Sequence, residues 1–271
     1  MQPNIILVTV DCWRGDHLGA VTANKAAKAQ TPCLNAIANT SHLFNNAHTC
    51  GGWTKLAMTS MFSSTYASMH GFARGMYNPK RPNLAVDLQA NGYHTAGFTT
   101  NLVCGRGGGF DIGFDEFNDI RPKDQGRFHV NRRPTFGRLA SHSTTGPLVA
   151  KTLPFMVPLM LPFYPTSDAK DLVDLGLKWL DNNHQQPYFL WLHFMDLHWP
   201  YRSSTRDIDS QEFVQMWQDR QHWNKVKQSR GKYHPGKERA ERWQQLYAEE
   251  VEALDTQLGR FTDALSKRDD W

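Results

Sequence analysis

Three stretches of the chain gather residue types able to handle a small anionic molecule. Asn4 to Val10 is a short apolar run, rich in β-branched residues, that ends on Asp11, Cys12 and Arg14. Gly52 to Lys55 leads into Leu56 to Phe62, whose apolar spacing suits a helix. Thr54 therefore stands at a loop-to-helix junction, where free backbone N–H groups and the helix dipole favour an anion. Pro187 to Phe194 reads as another strand, and Asp196 and His198 follow it with an acid and an imidazole. Each residue also has a plain structural reading: Asp11 as a turn residue, Thr54 as an N-cap, His198 as a packed histidine.

The elements needed to position them point to an α/β fold. A short, uninterrupted apolar run such as Asn4 to Val10 reads as a strand buried on both faces of a parallel sheet. Ligands of such sheets bind at the C-terminal ends of the strands, where Asp11 is delivered. Thr31 is a candidate N-cap with Pro32 at the first helical position. Leu84 to Gln89 reads as a helix closed by Asn91-Gly92, and Tyr93 to Asn101 as the next strand. Gly107 to Phe117 is a glycine-rich turn with aromatic anchors and lacks the context of a nucleotide loop. Arg121 to Pro165 is basic and punctuated by Gly and Pro, as expected of an irregular insertion. Ser167 to Leu180 has an amphipathic pattern with Ser167 or Asp168 as cap. Ser203 to Trp243 is polar and helical in pieces, and Val251, Leu254, Leu258, Phe261 and Leu265 mark one stripe of a helix over Tyr247 to Leu265.

The 271 residues suit a single domain. A net charge of +4 is small and spread, so nucleic-acid binding is not expected, while an anionic substrate is compatible. The four cysteines form no CxxC pair and no zinc spacing. The first strand begins almost at Met1, which leaves no room for a signal peptide and favours a cytoplasmic chain. Pro147 to Pro165 is apolar but broken by Pro154, Pro158 and Pro162, which argues against a transmembrane segment. A packed loop or a membrane-surface contact are its two readings.

Taken together, these stretches resemble the N-terminal part of the sulfatase family, within the alkaline-phosphatase-like superfamily of metal-dependent ester hydrolases. The resemblance lies in Asp11, Arg14 and Asp16 to Gly19, in Thr31 to Ala38, in Gly52 to Ser64 at the nucleophile loop, in Phe110 to Phe117, in Pro187 to Tyr201, and in Tyr247 to Leu265. It implies a mostly parallel central sheet with helices on both faces. It also implies a divalent cation that polarises a sulfate or phosphate ester. Asp11 matches the family's first metal-binding acid. Cys12 stands where a second acid is frequent, and a soft thiolate suits calcium or magnesium poorly. Arg14 matches an arginine near the site, and Asn101 lies about where a substrate-binding lysine is common. His198 matches a histidine that contacts substrate or protonates the leaving group.

The nucleophile loop departs from the formylglycine-dependent pattern. Thr54 falls on the oxidised Cys or Ser, Leu56 on the following proline and Met58 on the arginine. Threonine cannot become formylglycine, so none is expected, and a metal-bound Thr54 hydroxyl takes the nucleophile's place. Lys55 beside it is a candidate substrate contact. The resemblance thus implies a metal-dependent hydrolase of sulfate esters, with calcium as the expected metal. The alternative is a threonine-dependent phosphodiesterase, phosphonate hydrolase or phosphoglycerol-type transferase using manganese, zinc or magnesium. The family's remaining metal ligands are expected beyond Trp271, as in a fragment or a truncated gene. A third reading is therefore a non-catalytic remnant that binds anions, a partner or a second copy through an exposed sheet edge.

Overall fold

Apolar strand centres assemble one parallel sheet that carries the candidate site at its C-terminal edge. The computed structural model describes residues 2–21, 28–70, 81–120, 169–183, 185–199, 201 and 210–270. Its strands are β1 (Ile5–Val10), β2 (His94–Thr99), β3 (Glu116–Asp119) and β4 (Tyr188–Phe194), in the spatial order β1-β4-β2-β3 with every pairing parallel. The helices are α1 (Pro32–Asn39), α2 (Thr54–Ser63), α3 (Ala67–His70), α4 (Leu84–Ala90), α5 (Ala169–Asn182), α6 (Ser210–Gln228) and α7 (Lys237–Leu265). Arg121 to Pro165, including the apolar stretch from Pro147, lies outside the described residues, as do the proposed caps Ser167 and Asp168. Among the described residues no helix is long and apolar enough to cross a membrane.

All residues of β4 are buried, as expected for the interior of a parallel sheet. The expectation that β1 is buried on both faces is corrected: its partner among the described residues is β4 alone, and Val8 is 37% exposed. An apolar run reports strand propensity and does not reveal the order of strands.

Described residues of 1–120, 167–198 and 248–271 form one compact unit. Its core on one side of the sheet is aromatic. Trp191 of β4 is fully buried, with ring centroids 4.7 Å from Phe62 of α2, 5.9 Å from Phe114 and 6.1 Å from Phe110. Burying each such side chain is worth roughly 1.5–3 kcal/mol. Gly113 makes this packing possible: its φ is +89°, and a Cβ there would stand 2.4 Å from the backbone N of Val86. On the helix side, Gly176 of α5 lets Leu192 and Phe261 approach, and Arg260 of α7 donates to Asp174 of α5 at 2.5 Å.

Caps come from unexpected places. Thr31 does not cap α1; its hydroxyl accepts from Gly19 N at 3.0 Å and donates to Asn35. The half-buried N–H groups of Cys33 and Leu34 instead donate to the two oxygens of Asp255 on α7, each at 2.9 Å. Likewise Ala169 N, at the start of α5, donates to Asp196 Oδ1 at 2.6 Å. Asn83 caps α4, and Gly92 closes it with φ +86°.

Described residues of 199–247 belong to a second unit. There the Trp199 and Trp223 rings stack at 5.8 Å, Trp243 meets Trp223 edge-on, and the buried Asp219 lies between Arg239 and Arg242.

Candidate active site

Asp11 leaves β1 while still in the ladder, its N–H bonded to Phe194 O at 2.9 Å. Cys12 then turns the chain with φ +61°, a left-handed conformation uncommon outside Gly, Asn and Asp. The anchored backbone points the Asp11 carboxylate at the first turn of α2. Thr54 is the first residue of that helix, and its Oγ1 donates to Asp11 Oδ2 at 2.7 Å. The N-cap position belongs to Trp53, which has extended backbone and no capping side-chain bond. Thr54 is thus committed to the carboxylate, and the first turn of α2 holds no acid to compete with an anion.

Two further side chains fix the carboxylate. Asn101, 3% exposed just past β2, donates through Nδ2 to Asp11 Oδ2 at 3.0 Å. Cys12 Sγ donates to Oδ1 at 3.3 Å. Although Cys12 is exposed as a residue, lost hydration on the protein-facing side of its sulfur, together with the Asp11 charge, pushes its thiol up to about 12. Beneath the carboxylate, burial first and the charge of Asp11 second also raise the Cys104 thiol. Burial has the opposite effect on a base: His193 is brought down to about 4, against the pull of Asp11, and is neutral at pH 7.

Comparison with known proteins identifies the family. A statistical model of the sulfatase family matches residues 3–271. The chain belongs to the sulfatase family. An arylsulfatase of Clostridium perfringens is 32% identical over 99 residues, which are 35% of this chain and 20% of that protein. The phosphonate monoester hydrolase of Agrobacterium radiobacter superposes with a TM-score of 0.57 at 15% identity, covering 100% of this chain and 60% of that one. The C-terminal periplasmic domain of EcEptC from Escherichia coli, in complex with zinc, superposes with a TM-score of 0.57 at 14% identity, covering 97% and 59%. This sulfatase-family chain therefore spans a fifth of the curated relative and about three fifths of these structures. At such identities the structural likeness speaks for the α/β fold.

Within the family frame, the structure gathers Asp11, Cys12, Thr54 and Asn101 at one point. Arg14 is turned aside: its guanidinium makes a two-pronged pair with Asp16 at 2.9 and 2.8 Å. Lys55 lies half-buried in the first turn of α2, and His198 is exposed in the turn after β4, its N–H on Met195 O at 2.9 Å. Asp196, which supports the sequence motif, acts as the cap of α5.

A divalent cation meets a donor set of the right kind at Asp11 and Thr54. Carboxylate and hydroxyl oxygens suit the hard cations, whereas the protonated Cys12 thiol does not. Among the described residues no group of three or more His, Cys, Asp or Glu side chains gathers in a metal-binding arrangement. The fit is that of a partial oxygen shell.

The residues that sequence reading underestimated are Thr9, Trp191 and His193. His193 Nδ1 lies 2.8 Å from Thr9 Oγ1, which accepts from Trp191 Nε1 at 3.0 Å. For Thr9 and His193 the signal was a polar side chain one position before the end of an apolar strand. In the sheet register, Thr9 and Thr99 both face His193.

Proposed function

We propose that this chain carries the nucleophile and one metal-binding acid of a metal-dependent hydrolase of anionic esters, with Thr54 Oγ attacking the central phosphorus or sulfur. The observation that carries the reading is the 2.7 Å hydrogen bond from Thr54 to Asp11 at the uncapped first turn of α2. Asp11 accepts the hydroxyl proton and so orients an oxygen lone pair outward, toward an incoming ester. The orphan N–H groups of α2 and the charge of Lys55 favour the ester's anionic oxygens at that place. His198, in the turn after β4, is the proposed donor to the leaving oxygen.

Asp11 and Thr54 would hold the cation through their oxygens, and the zinc named with the Escherichia coli structure supports a cation in this fold. Such an ion, when bound, supplies positive charge that lowers the pKa of a hydroxyl and neutralises ester oxygens. A phosphate or phosphonate ester is the favoured substrate, because Thr54 offers a plain hydroxyl and cannot be converted to formylglycine. A sulfate ester is the second reading, favoured by the likeness to the arylsulfatase.

The test is turnover of an aryl phosphodiester and an aryl sulfate by the purified chain with manganese, zinc or calcium. The phosphodiester is expected to react faster, and Thr54→Ala to lower kcat/KM by about a thousandfold or more. A Thr54→Ala protein as active as wild type removes Thr54 from the mechanism. Faster sulfate turnover replaces the favoured substrate with the second, and no turnover with any metal leaves anion or partner binding as the reading.

A further inference from the structure

Asp11 has to present one oxygen to Thr54 and keep presenting it, yet a carboxylate rotates readily about its last bond. The buried side chains behind it explain what prevents this. Asn101 Oδ1 accepts from the backbone N of Val103 at 2.9 Å, so the amide cannot be flipped without losing that bond. Its Nδ2 therefore faces both Asp11 Oδ2, at 3.0 Å, and His193 Nε2, at 3.5 Å. An amide nitrogen only donates, so His193 Nε2 has to be an acceptor, and the ring proton belongs on Nδ1. Nδ1 then donates to Thr9 Oγ1 at 2.8 Å, and the Thr9 hydroxyl hydrogen is left for Leu192 O at 3.5 Å. Trp191 Nε1, a donor only, completes the environment of Thr9 Oγ1 at 3.0 Å. Every donor and acceptor in the chain is matched in this one tautomer and in no other.

We infer that Asn101 and His193 are positioning residues: a neutral, Nδ1-protonated His193 holds the Asn101 amide, which holds Asp11 Oδ2 against Thr54. The inference rests on the reading of Thr54 as the nucleophile, and assigns Asn101 to the carboxylate in place of a substrate contact. The strand register makes the arrangement rigid. Thr9, Thr99 and His193 sit side by side in β1, β2 and β4, and Asp11 and Asn101 each follow two residues beyond the first two. The network thus spans three strands and moves only if the sheet does.

Three measurements on the full chain decide it. Nitrogen chemical shifts of the His193 ring are expected to show Nδ1–H in the wild type, and finding Nε2–H overturns the inference whatever the activity. Asn101→Leu is expected to lower kcat about 10–100-fold with KM within about threefold, and to weaken manganese binding, read by calorimetry, by a similar factor. His193→Leu is expected to follow Asn101→Leu. His193→Gln, whose side-chain carbonyl can accept from Asn101, is expected to recover most of the loss, which a merely structural role would not predict. Asn101→Leu with wild-type turnover and wild-type manganese affinity overturns the inference. Loss of turnover in Thr54→Ala beside an unaffected Asn101→Leu would leave the nucleophile standing and remove only the positioning chain. A fully active Thr54→Ala would instead remove the nucleophile, and the ring tautomer would still decide the network.

Discussion

Cys12 occupies a conformation and a position that both suit a different residue. At φ +61° a side chain is strained unless it is Asn, Asp or Gly, and the strain is on the order of 1 kcal/mol. Its sulfur stands 3.3 Å from Asp11 Oδ1 as a protonated donor, on the same carboxylate that accepts from Thr54. An acid here would tolerate the left-handed turn and offer hard oxygens in place of sulfur. Cys12→Asp is therefore expected to tighten manganese binding by about tenfold or more, measured by calorimetry at pH 7. Calcium is expected to gain as well, since it prefers oxygen donors still more strongly. An unchanged affinity would place Cys12 outside the metal's reach and leave Asp11 and Thr54 as the chain's own donors.

At the level of elements, the least predictable feature is a helix whose N-terminus is capped from another helix. The N–H groups of Cys33 and Leu34 at the start of α1 have their acceptor in Asp255, which is 2% exposed on α7. Asp255→Ala removes two charge-assisted bonds and leaves two donors unpaired in a poorly hydrated place, so a loss of about 2–4 kcal/mol is expected. Denaturant unfolding should show a lower midpoint with an unchanged slope, whereas Thr31→Ala should cost less. A midpoint unmoved by Asp255→Ala would return the cap to Thr31. Sequence patterns could point to Thr31, since capping rules are local, but no local rule finds a partner more than two hundred residues away. The same distinction separates what was legible from what was not. The strands around Asp11, Asn101 and His193 were visible from apolar runs, and strand-end and helix-start logic placed Asp11 and Thr54 separately, while only the family resemblance brought the two together. β3 escaped notice because Glu116 to Asp119 alternates polar residues with a single phenylalanine, and its pairing depends on Phe114 and Phe117 packing beside Trp191. The start of α7 at Lys237 escaped because Lys237 to Leu246 is mostly charged or polar and shows no apolar stripe.

For the molecule as a whole, acid should act in two stages that differ in their response to salt. His193 is 1% exposed and neutral, with burial holding its folded value near 4 against an ordinary 6.5. Between those values the unfolded chain takes up a proton that the folded chain refuses, so stability is complete above pH 6.5 and declines as pH falls toward 4. Linkage sets the loss at no more than about 3–4 kcal/mol. The second stage comes from surface carboxylates held below their ordinary 3.8: Asp16 by Arg14, and Asp174 by Lys170 and Arg260. Their contribution is present above about pH 4 and is lost as pH falls further. Exposed pairs are screened by salt, whereas a buried imidazole is not. Denaturant midpoints measured from pH 8 to 3 at low and high ionic strength should therefore show a first decline indifferent to salt and a second that salt weakens. His193→Gln should flatten the first and leave the second in place. A first decline that survives His193→Gln would assign it to another group and would leave the neutral imidazole without a measurable part in holding the sheet's active edge.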